Sequence, residues 1–581
     1  MAGGALPPIL ATADLNRIEA PVTFKAYLMC VFASFGGILF GYDSGYISGV
    51  LSMPFFITTI TGLDRATTPA AQFVISASHQ SLIVSILSAG TFFGAIIAGD
   101  LADWFGRRTT LLAGCVVYMI GVVLQTASSG LALLVVGRLI AGFGIGFVSA
   151  IVILYMSEIA PRKIRGAIVS GYQFAITIGL LLSASVDYAT QNYTTSASYR
   201  IPMGLQLLFP MILGAGLIYL PESPRYFVKK GNVQKAAHAL GRLRGQPEDS
   251  EYIQNELAEI IANNEYEKSL MPDTSYFGSW AACFSGSLWN GNSNLRRTIL
   301  GTSMQMMQQW TGINFVFYAN IAFTWDPLCS FGTTFFTELG TISNPFLITV
   351  ITDLVDTLCT PVSFYTMERV GRRPLLIWGA VGMCVCEVIV ALIGTIAPGN
   401  HNAVQAMIAF ICICKSFPLL FHIACSLANT PIALLLDIAF FAGSWGPGAW
   451  VVIGEIFPLP IRSRGVGLST ASNWLWNCII AVITPYLVGA DQANLGPKVF
   501  WLWGALCGCC VVYAYFLVPE TKGLTLEQVD QMMEEVPARQ SAKWRPHESF
   551  ASKIGAANDS SKLDELNVKE TEQQHLEASR V

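Results

Sequence analysis

The stretch GDLADWFGRR at residues 99–108 decides the fold of this chain. It ends a long apolar run at 79–101, and its Arg107 and Arg108 precede another apolar run at 109–128. Each run has the roughly 20 apolar residues that a helix needs to cross a bilayer. Two crossings joined by a short basic turn are typical of a membrane protein, and such a turn is expected on the cytoplasmic side.

The rest of the chain repeats this pattern. Only 12% of the residues are charged and 53% are hydrophobic, whereas a soluble domain is about 25% charged. A polar stretch at 222–297 separates six apolar runs from six more. The sequence therefore predicts an all-α membrane protein with twelve transmembrane helices in two six-helix halves. The runs lie near 26–50, 79–101, 109–128, 131–156, 168–189, 201–220, 298–325, 345–367, 374–397, 405–453, 466–490 and 499–518.

The basic residues predict the orientation. Most Lys and Arg residues outside the runs fall in loops on one side, which places both termini in the cytoplasm. Asn192 then lies outside, in a sequence that accepts N-glycosylation. The predicted domains are an N-terminal tail (1–25), the two halves (26–221 and 298–518), a cytoplasmic helical linker (222–297, with helices around 232–245 and 249–268), and a cytoplasmic, largely disordered tail (519–581).

Composition also excludes several classes of function. The net charge is −4, which gives no electrostatic basis for binding nucleic acid. The cysteines lie mostly in apolar runs, so packing is expected rather than disulfides or a metal site. No nucleophile, base and orienting group converge in the sequence, so an enzyme is not predicted, and no cofactor is expected.

The two halves carry matching motifs in the same order. Gly106-Arg107-Arg108 returns as Gly371-Arg372-Arg373, Glu158 returns as Glu455, and Pro221-Glu222-Ser223 returns as Pro519-Glu520-Thr521. Such an internal repeat is typical of a transporter that alternates access around a central site. The spacing differs in one place: 50 residues separate Arg108 from Glu158, but 82 separate Arg373 from Glu455. The extra residues fall around the tenth run.

These motifs, together with PESPR at 221–225, QQWTGIN at 308–314 and PETKG at 519–523, resemble the sugar porters of the major facilitator superfamily. The resemblance covers residues 25–530. The strings GYDSGYISGV and NWLWNCIIAVITPYLV are most similar to those of fungal high-affinity hexose/proton symporters. The resemblance implies the major facilitator fold and proton-coupled sugar uptake.

A proton-coupling pair is predicted from two charges inside the first half. Asp43 lies within the first run and Arg138 within the fourth, and a buried charge of this kind is costly unless it is partnered or functional. We expect the two side chains to face each other. In the resembled symporters the matching pair couples transport to protons; the alternative is a purely structural salt bridge.

A sugar site is predicted from amides and an aromatic ring within the runs. An amide both donates and accepts hydrogen bonds, as sugar hydroxyls do. The alternative is that these amides bond helices to one another. The candidates match the sugar contacts of the resembled family, with Asp356 replacing a usual Asn: Gln173, Gln308, Gln309, Asn314, Asp356, Trp450, Asn473 and Asn477. An ionised Asp356 can only accept hydrogen bonds, so either it is protonated or the specificity differs.

Charged residues at the cytoplasmic ends are predicted to form a gate that closes when the carrier faces outward. The alternative is that they only set the topology. They are Arg107, Arg108, Glu158, Arg165 and Glu222 in the first half, and Glu368, Arg372, Arg373, Glu455, Arg464 and Glu520 in the second.

Two segments depart from the family pattern, at 319–330 and 414–437. The second brings Lys415, His422 and Asp437 into the tenth run. We predict that 414–437 is a retained intron, and that splicing replaces it by one tyrosine. The chain with that replacement is called the spliced form below.

The sequence therefore predicts a monomeric, plasma-membrane carrier for glucose and related monosaccharides, driven by protons. The alternatives are a facilitator, a porter for a polyol or a sugar acid, or a sugar sensor that does not transport. Sensors usually carry a longer cytoplasmic tail than the residues that follow Gly523 here.

Overall fold

The computed structural model describes residues 23–63, 67, 73, 75–270, 276–289, 293–315, 345–396, 432–488, 493 and 495–545. Within these residues every regular element is helical. The first half and the linker contain α1 (Phe24–Ser34), α2 (Gly36–Ser52), α3 (Pro54–Thr61), α4 (Ala77–Phe105), α5 (Arg107–Thr126), α6 (Leu131–Ile159), α7 (Arg165–Thr190), α8 (Ala197–Leu205), α9 (Leu208–Tyr219), α10 (Pro224–Lys229), α11 (Val233–Arg244), α12 (Glu251–Leu270) and α13 (Tyr276–Cys283).

The second half contains α14 (Asn294–Trp310), α15 (Pro345–Cys359), α16 (Val362–Arg369), α17 (Arg372–Ile396), α18 (Ile432–Gly443), α19 (Trp445–Glu455), α20 (Arg462–Val488) and α21 (Phe500–Phe516), followed by α22 (Leu526–Glu535). Several crossings consist of two helices in succession, as α1 with α2 and α8 with α9 do. The described residues include eight helical stretches long and apolar enough to span a membrane.

The core lies between helices that pack closely through small residues. Helix α6 is buried along most of its length, since α4 and α5 pack on its two sides. A Cβ atom at Gly146 would lie 2.6 Å from the carbonyl oxygen of Thr91 on α4, so only glycine allows this approach. Apolar side chains of both halves form one continuous cluster, which includes Val152, Trp450 and Ile453.

The predicted linker helices are present as α11 and α12. The prediction for the tail was wrong in its first part, because residues 526–545 are folded. The Thr525 side chain and the Gln528 side chain cap the start of α22 reciprocally. The apolar side chains of Val529, Met532 and Trp544 are buried against the bundle. Their burial stabilises a segment whose polar composition suggested disorder.

Candidate substrate site and gate

The eight predicted sugar residues line one cavity between the two halves. Its volume is about 90 Å³. Gln173 comes from α7 in the first half; the others come from the second half, on α14 and the residues after it, α15, α19 and α20. The sequence did not predict Phe40, Ser44 and Phe441, which also line the cavity. Ser44 belongs to GYDSGYISGV, the same string that contains Asp43, and Phe40 immediately precedes it.

The cavity offers both polar groups and an aromatic face. Gln173 is buried, and its amide has no hydrogen-bond partner in the part of the chain that the structure describes. Trp450 is 2% exposed and packs edge-on against Tyr172, with ring centroids 5.7 Å apart. The edge-on contact fixes the orientation of the indole ring, and a fixed ring can stack on the apolar face of a sugar.

Three of the amides also bond helices together, as the alternative interpretation expected. The Gln308 Nε2 donates to the carbonyl oxygens of Trp445 and Gly446, at 3.1 and 2.8 Å. The Asn477 Oδ1 accepts from the Ser88 hydroxyl at 2.8 Å, across the boundary between the halves. The Asn473 Nδ2 donates to the side-chain oxygens of Gln305 and Gln308, both at 2.7 Å. These bonds fix the walls of the cavity before any substrate arrives.

Asp43 and Arg138 are both fully buried, but they do not form the direct contact that the sequence analysis predicted. Among the described residues, no ion pair within 4.0 Å joins them. The Arg138 guanidinium instead donates to the Ile83 carbonyl at 2.6 Å and to the Tyr46 hydroxyl at 2.8 Å. Tyr46 follows Asp43 by one helical turn, so its phenol oxygen is presented on the same face of α2.

The Asp43 carboxylate has one protein partner. Its Oδ1 accepts from the Tyr118 hydroxyl at 3.2 Å, and its Oδ2 has no partner within the described residues. Tyr118 also lies 2.8 Å from the Gln206 Oε1. A single hydroxyl proton cannot serve both acceptors at once, so the Tyr118 bond to Gln206 competes with its bond to Asp43.

The predicted gate residues form the same set of contacts twice, once in each half. In the first half the Arg107 Nη2 lies 3.0 Å from the Glu158 Oε1, and the Glu222 carboxylate accepts from the backbone N–H groups of Arg107 and Arg108. In the second half the Arg372 Nη2 lies 3.0 Å from the Glu455 Oε1, and Glu520 accepts from the N–H groups of Arg372 and Arg373.

Other contacts on this side join one half to the other. The Arg464 Nε donates to the Asp100 Oδ1 at 2.8 Å. The Ser463 hydroxyl donates to the Asp103 Oδ1 at 2.6 Å. Glu368 accepts from the backbone N–H of Ala167 at 3.2 Å, and Arg165 donates to the Leu524 carbonyl at 3.3 Å. The side that carries the linker is called the linker side below, and these contacts hold the halves together there.

The contacts on the linker side also involve residues that the sequence prediction missed. Asp100 and Asp103 lie in the opening stretch GDLADWFGRR, and Arg225 lies in PESPR, so all three stood in motifs that were already recognised. Arg225 donates to the Glu527 carboxylate on α22 at 2.8 Å. Glu527 carried no signal in the sequence, because its segment was expected to be disordered.

The charges around Glu527 determine its ionisation. Burial alone would raise the pKa of this carboxyl, but Arg225, Arg462 and the hydrogen bonds to the carboxylate outweigh burial and lower the pKa to about 2. Glu527 is therefore ionised throughout the physiological range, and its bond to Arg225 is charge-assisted.

A multi-helix membrane protein with a polar central cavity and an ion-paired closure on one side has the architecture of a carrier. The chain belongs to the family "Sugar (and other) transporter", whose model matches residues 29–533. It is therefore a sugar porter of the major facilitator superfamily, a transporter rather than an enzyme.

Two curated relatives and one solved structure are similar to it. The major facilitator-type transporter ecdD of Aspergillus rugulosus is 44% identical over 90% of each chain. The high glucose sensor RGT2 of Saccharomyces cerevisiae is 40% identical over 91% of this chain and 64% of the sensor. The proton:xylose symporter XylE, from E. coli, bound to 6-bromo-6-deoxy-D-glucose, is 23% identical, with a TM-score of 0.67 over 88% of this chain and 99% of XylE. That likeness shows that the chain has the twelve-helix major facilitator fold.

Proposed function

We propose that this protein takes up glucose and related monosaccharides together with protons, as a monomer in the plasma membrane with both termini in the cytoplasm. The observation that carries the proposal is the meeting of Gln173, Asp356, Trp450 and the other predicted sugar residues around one cavity. Amide groups beside a fixed indole ring match the hydroxyls and the apolar face of a pyranose.

Proton coupling is proposed from the surroundings of Asp43. The carboxylate is buried near the Arg138 charge, and one of its oxygens has no hydrogen-bond partner among the described residues. Protonation of Asp43 would let the acid donate to Tyr118, and the Tyr118 hydroxyl would then donate to Gln206. A proton taken up at Asp43 thus changes the bonds between α2, α5 and the segment that follows α8, which gives the first half a means of changing its packing.

The gate contacts complete the transport cycle. With the halves joined on the linker side, by Arg464 with Asp100 and Ser463 with Asp103, substrate would enter from the opposite side. Release into the cytoplasm would require these bonds to break. The loops on the linker side carry most of the basic residues, which supports a cytoplasmic location for that side.

Uptake of labelled hexoses by cells that lack their own sugar transporters tests this proposal. Both the printed chain and the spliced form are expressed, with and without a protonophore. We expect uptake against a concentration gradient that the protonophore abolishes. Uptake that only equilibrates the sugar would identify a facilitator.

A sensor is a second candidate, because the chain is 40% identical to a high glucose sensor. The same cells distinguish it. A glucose-dependent transcriptional response without uptake, in cells where the protein reaches the plasma membrane, would favour the sensor and contradict the proposal.

A further inference from the structure

The cavity contains a carboxylate that forms no ion pair with any residue that the structure describes. Asp356 lines the cavity and is 1% exposed. Its Oδ1 has no hydrogen-bond partner among the described residues. Among the described residues that line the cavity, the other polar groups are amides, the Ser44 hydroxyl and the Trp450 indole N–H, and none is a Lys, Arg or His. An ionised carboxylate buried without a cation is costly, so Asp356 is expected to ionise most readily beside a ligand that brings a positive charge.

Two more acids are buried next to this site, and neither of them is among the residues that line the cavity. Asp353 precedes Asp356 by one turn on α15 and is 3% exposed. Asp187, on α7 in the other half, is 2% exposed, and its Oδ1 also has no partner within the described residues. Asp353 acts electrostatically on Asp187, and Asp356 acts on Asp353. No basic group in the described part of the chain forms an ion pair with any of the three.

When it is ionised, Asp356 places a negative charge in the cavity. A neutral hexose can donate a hydroxyl proton to Asp356, but it cannot offset the charge. An ammonium group can do both, because it carries a full positive charge and three donors. The amides of Gln173 and Gln309 and the Trp450 ring remain suited to the rest of a pyranose. The ligand with this combination is an amino sugar.

We propose that the cavity takes amino sugars in their ammonium form, and that Asp356 is the residue that selects them over neutral hexoses. The inference rests on the proposed function, since it assigns a substrate class to the same cavity. In it, the Asp356 carboxylate accepts hydrogen bonds from the ammonium group of the sugar.

Competition against labelled glucose uptake tests the inference, in transporter-null cells that express the printed chain or the spliced form. The competitors are glucosamine, N-acetylglucosamine and 2-deoxyglucose, of which only the first carries a charge. We expect glucosamine to inhibit at a concentration about tenfold or more below that of 2-deoxyglucose, as one charge-assisted bond would give. The variant Asp356→Asn should remove that preference, so that the two inhibition constants become similar.

Gln173→Ala is the matched control, because it alters the cavity without altering its charge. It should weaken both competitors and leave their ratio unchanged. The inference is overturned if glucosamine is no better than 2-deoxyglucose in the unmodified protein, or if Asp356→Asn leaves the ratio intact. If no hexose is taken up, the proposed function fails by itself. In that case, calorimetry measures the affinities of the purified protein for glucosamine and for 2-deoxyglucose, and the ratio of the two affinities tests the inference.

Discussion

The guanidinium of Arg464 donates to the carboxylate of Asp100 at 2.8 Å, across the boundary between the two halves. Both side chains are less than one tenth exposed. The pair also contacts the linker, since the Trp280 indole N–H and the Tyr276 hydroxyl donate to the other oxygen of Asp100. One aspartate thus connects the first half, the second half and the linker, and the linker-side closure depends on it.

Removing one partner of this pair should open the linker side. Arg464→Gln leaves Asp100 buried without its cation, which costs on the order of 3–5 kcal/mol in the closed state. The equilibrium should shift toward the open state. A cysteine introduced by Ser157→Cys, which packs beside Gly454 of the other half, should then react faster with an impermeant thiol reagent in inside-out membranes.

Arg373→Gln is the control for this measurement, because Arg373 donates to the carbonyl oxygens of Tyr515 and Arg539, neither of which belongs to the first half. Its loss should lower the stability of the protein without a comparable rise in the labelling rate. Equal labelling rates for Arg464→Gln and the unmodified protein would show that the Arg464–Asp100 bond does not hold the halves together.

Asp43→Asn should abolish accumulation of sugar while exchange of sugar across the membrane continues. The amide is neutral, as the protonated acid is, so the carrier would lose the step that loads a proton. Counterflow in proteoliposomes measures exchange, and uptake with an imposed pH gradient measures accumulation. Asp43→Glu, which keeps a titratable group, is the control. An Asp43→Asn protein that still concentrates sugar would place the coupling site elsewhere.

Gln173→Ala should weaken sugar binding without unfolding the protein. The amide has no partner within the described residues, so its removal leaves no buried protein group unsatisfied, while the sugar loses hydrogen bonds worth roughly 0.5–1.5 kcal/mol each. The apparent affinity in the uptake assay measures this. Ser185→Ala changes an exposed hydroxyl on the same helix α7 and should leave the affinity unaltered. An unchanged affinity in Gln173→Ala would remove this residue from the site.

The bond between Arg225 and Glu527 should persist through any physiological change of cytoplasmic pH. The pKa of Glu527 falls from 4.5 to about 2 in the folded protein. Because this pKa is depressed, the stabilisation is fully present above pH 4.5 and is lost only as the pH falls toward 2. Its size is on the order of 3 kcal/mol. The stabilisation by this pair, measured by thermal unfolding of purified protein, should therefore not change between pH 6 and 7.5.

The variant Glu527→Gln separates this pair from other titrating groups. It should lower the unfolding temperature by the same amount at both pH values. A difference between the variant and the unmodified protein that grows or shrinks between pH 6 and 7.5 would contradict the assigned pKa.

The sequence predicted the cavity better than the coupling network, for a physical reason. Gln308, Asn314 and Asn473 occupy fixed positions in recognisable motifs, and the fold determines which way those motifs face. The environment of Arg138 depends instead on Tyr46, Tyr118 and Gln206. These are common polar residues of apolar helices, and only the packing of α2, α5 and α6 shows which acceptor each one reaches.

The segment 414–437 is the subject of the last prediction, a retained intron in the gene model. Cys414-Lys415-Ser416 can be encoded as TGT-AAG-TCN, which contains the donor GTAAGT. Ala428-Asn429 can be GCT-AAC, which contains the branch signal CTAAC. Leu436-Asp437 can be CTA-GAC, which contains the acceptor TAG. Splicing between these signals keeps the reading frame and joins T to AC, the codon TAC for tyrosine. The weaker case at 319–330 lies outside the described residues.

The structure adds a physical argument at the one end of this segment that it describes. Residues 432–437 begin α18, and Asp437 is 2% exposed. Neither oxygen of Asp437 has a hydrogen-bond partner among the described residues, and the same holds for Glu387 on α17, which lies within its electrostatic range. Two buried acids that repel each other are unfavourable. A tyrosine in place of Asp437 would remove one acid and bring a hydroxyl donor toward Glu387.

We therefore expect the spliced form to insert and transport better than the printed chain. Two measurements test this prediction. The messenger RNA is sequenced across this region, and the surface expression and hexose uptake of the two forms are compared. In the spliced form, Glu387→Gln should change the stability of the protein little, because an amide can still accept from the tyrosine hydroxyl. In the printed chain the same substitution should raise the stability, because it removes one of two buried acids that repel each other. A dominant transcript that keeps the segment, in cells where the printed chain reaches the surface and transports sugar, would refute the prediction.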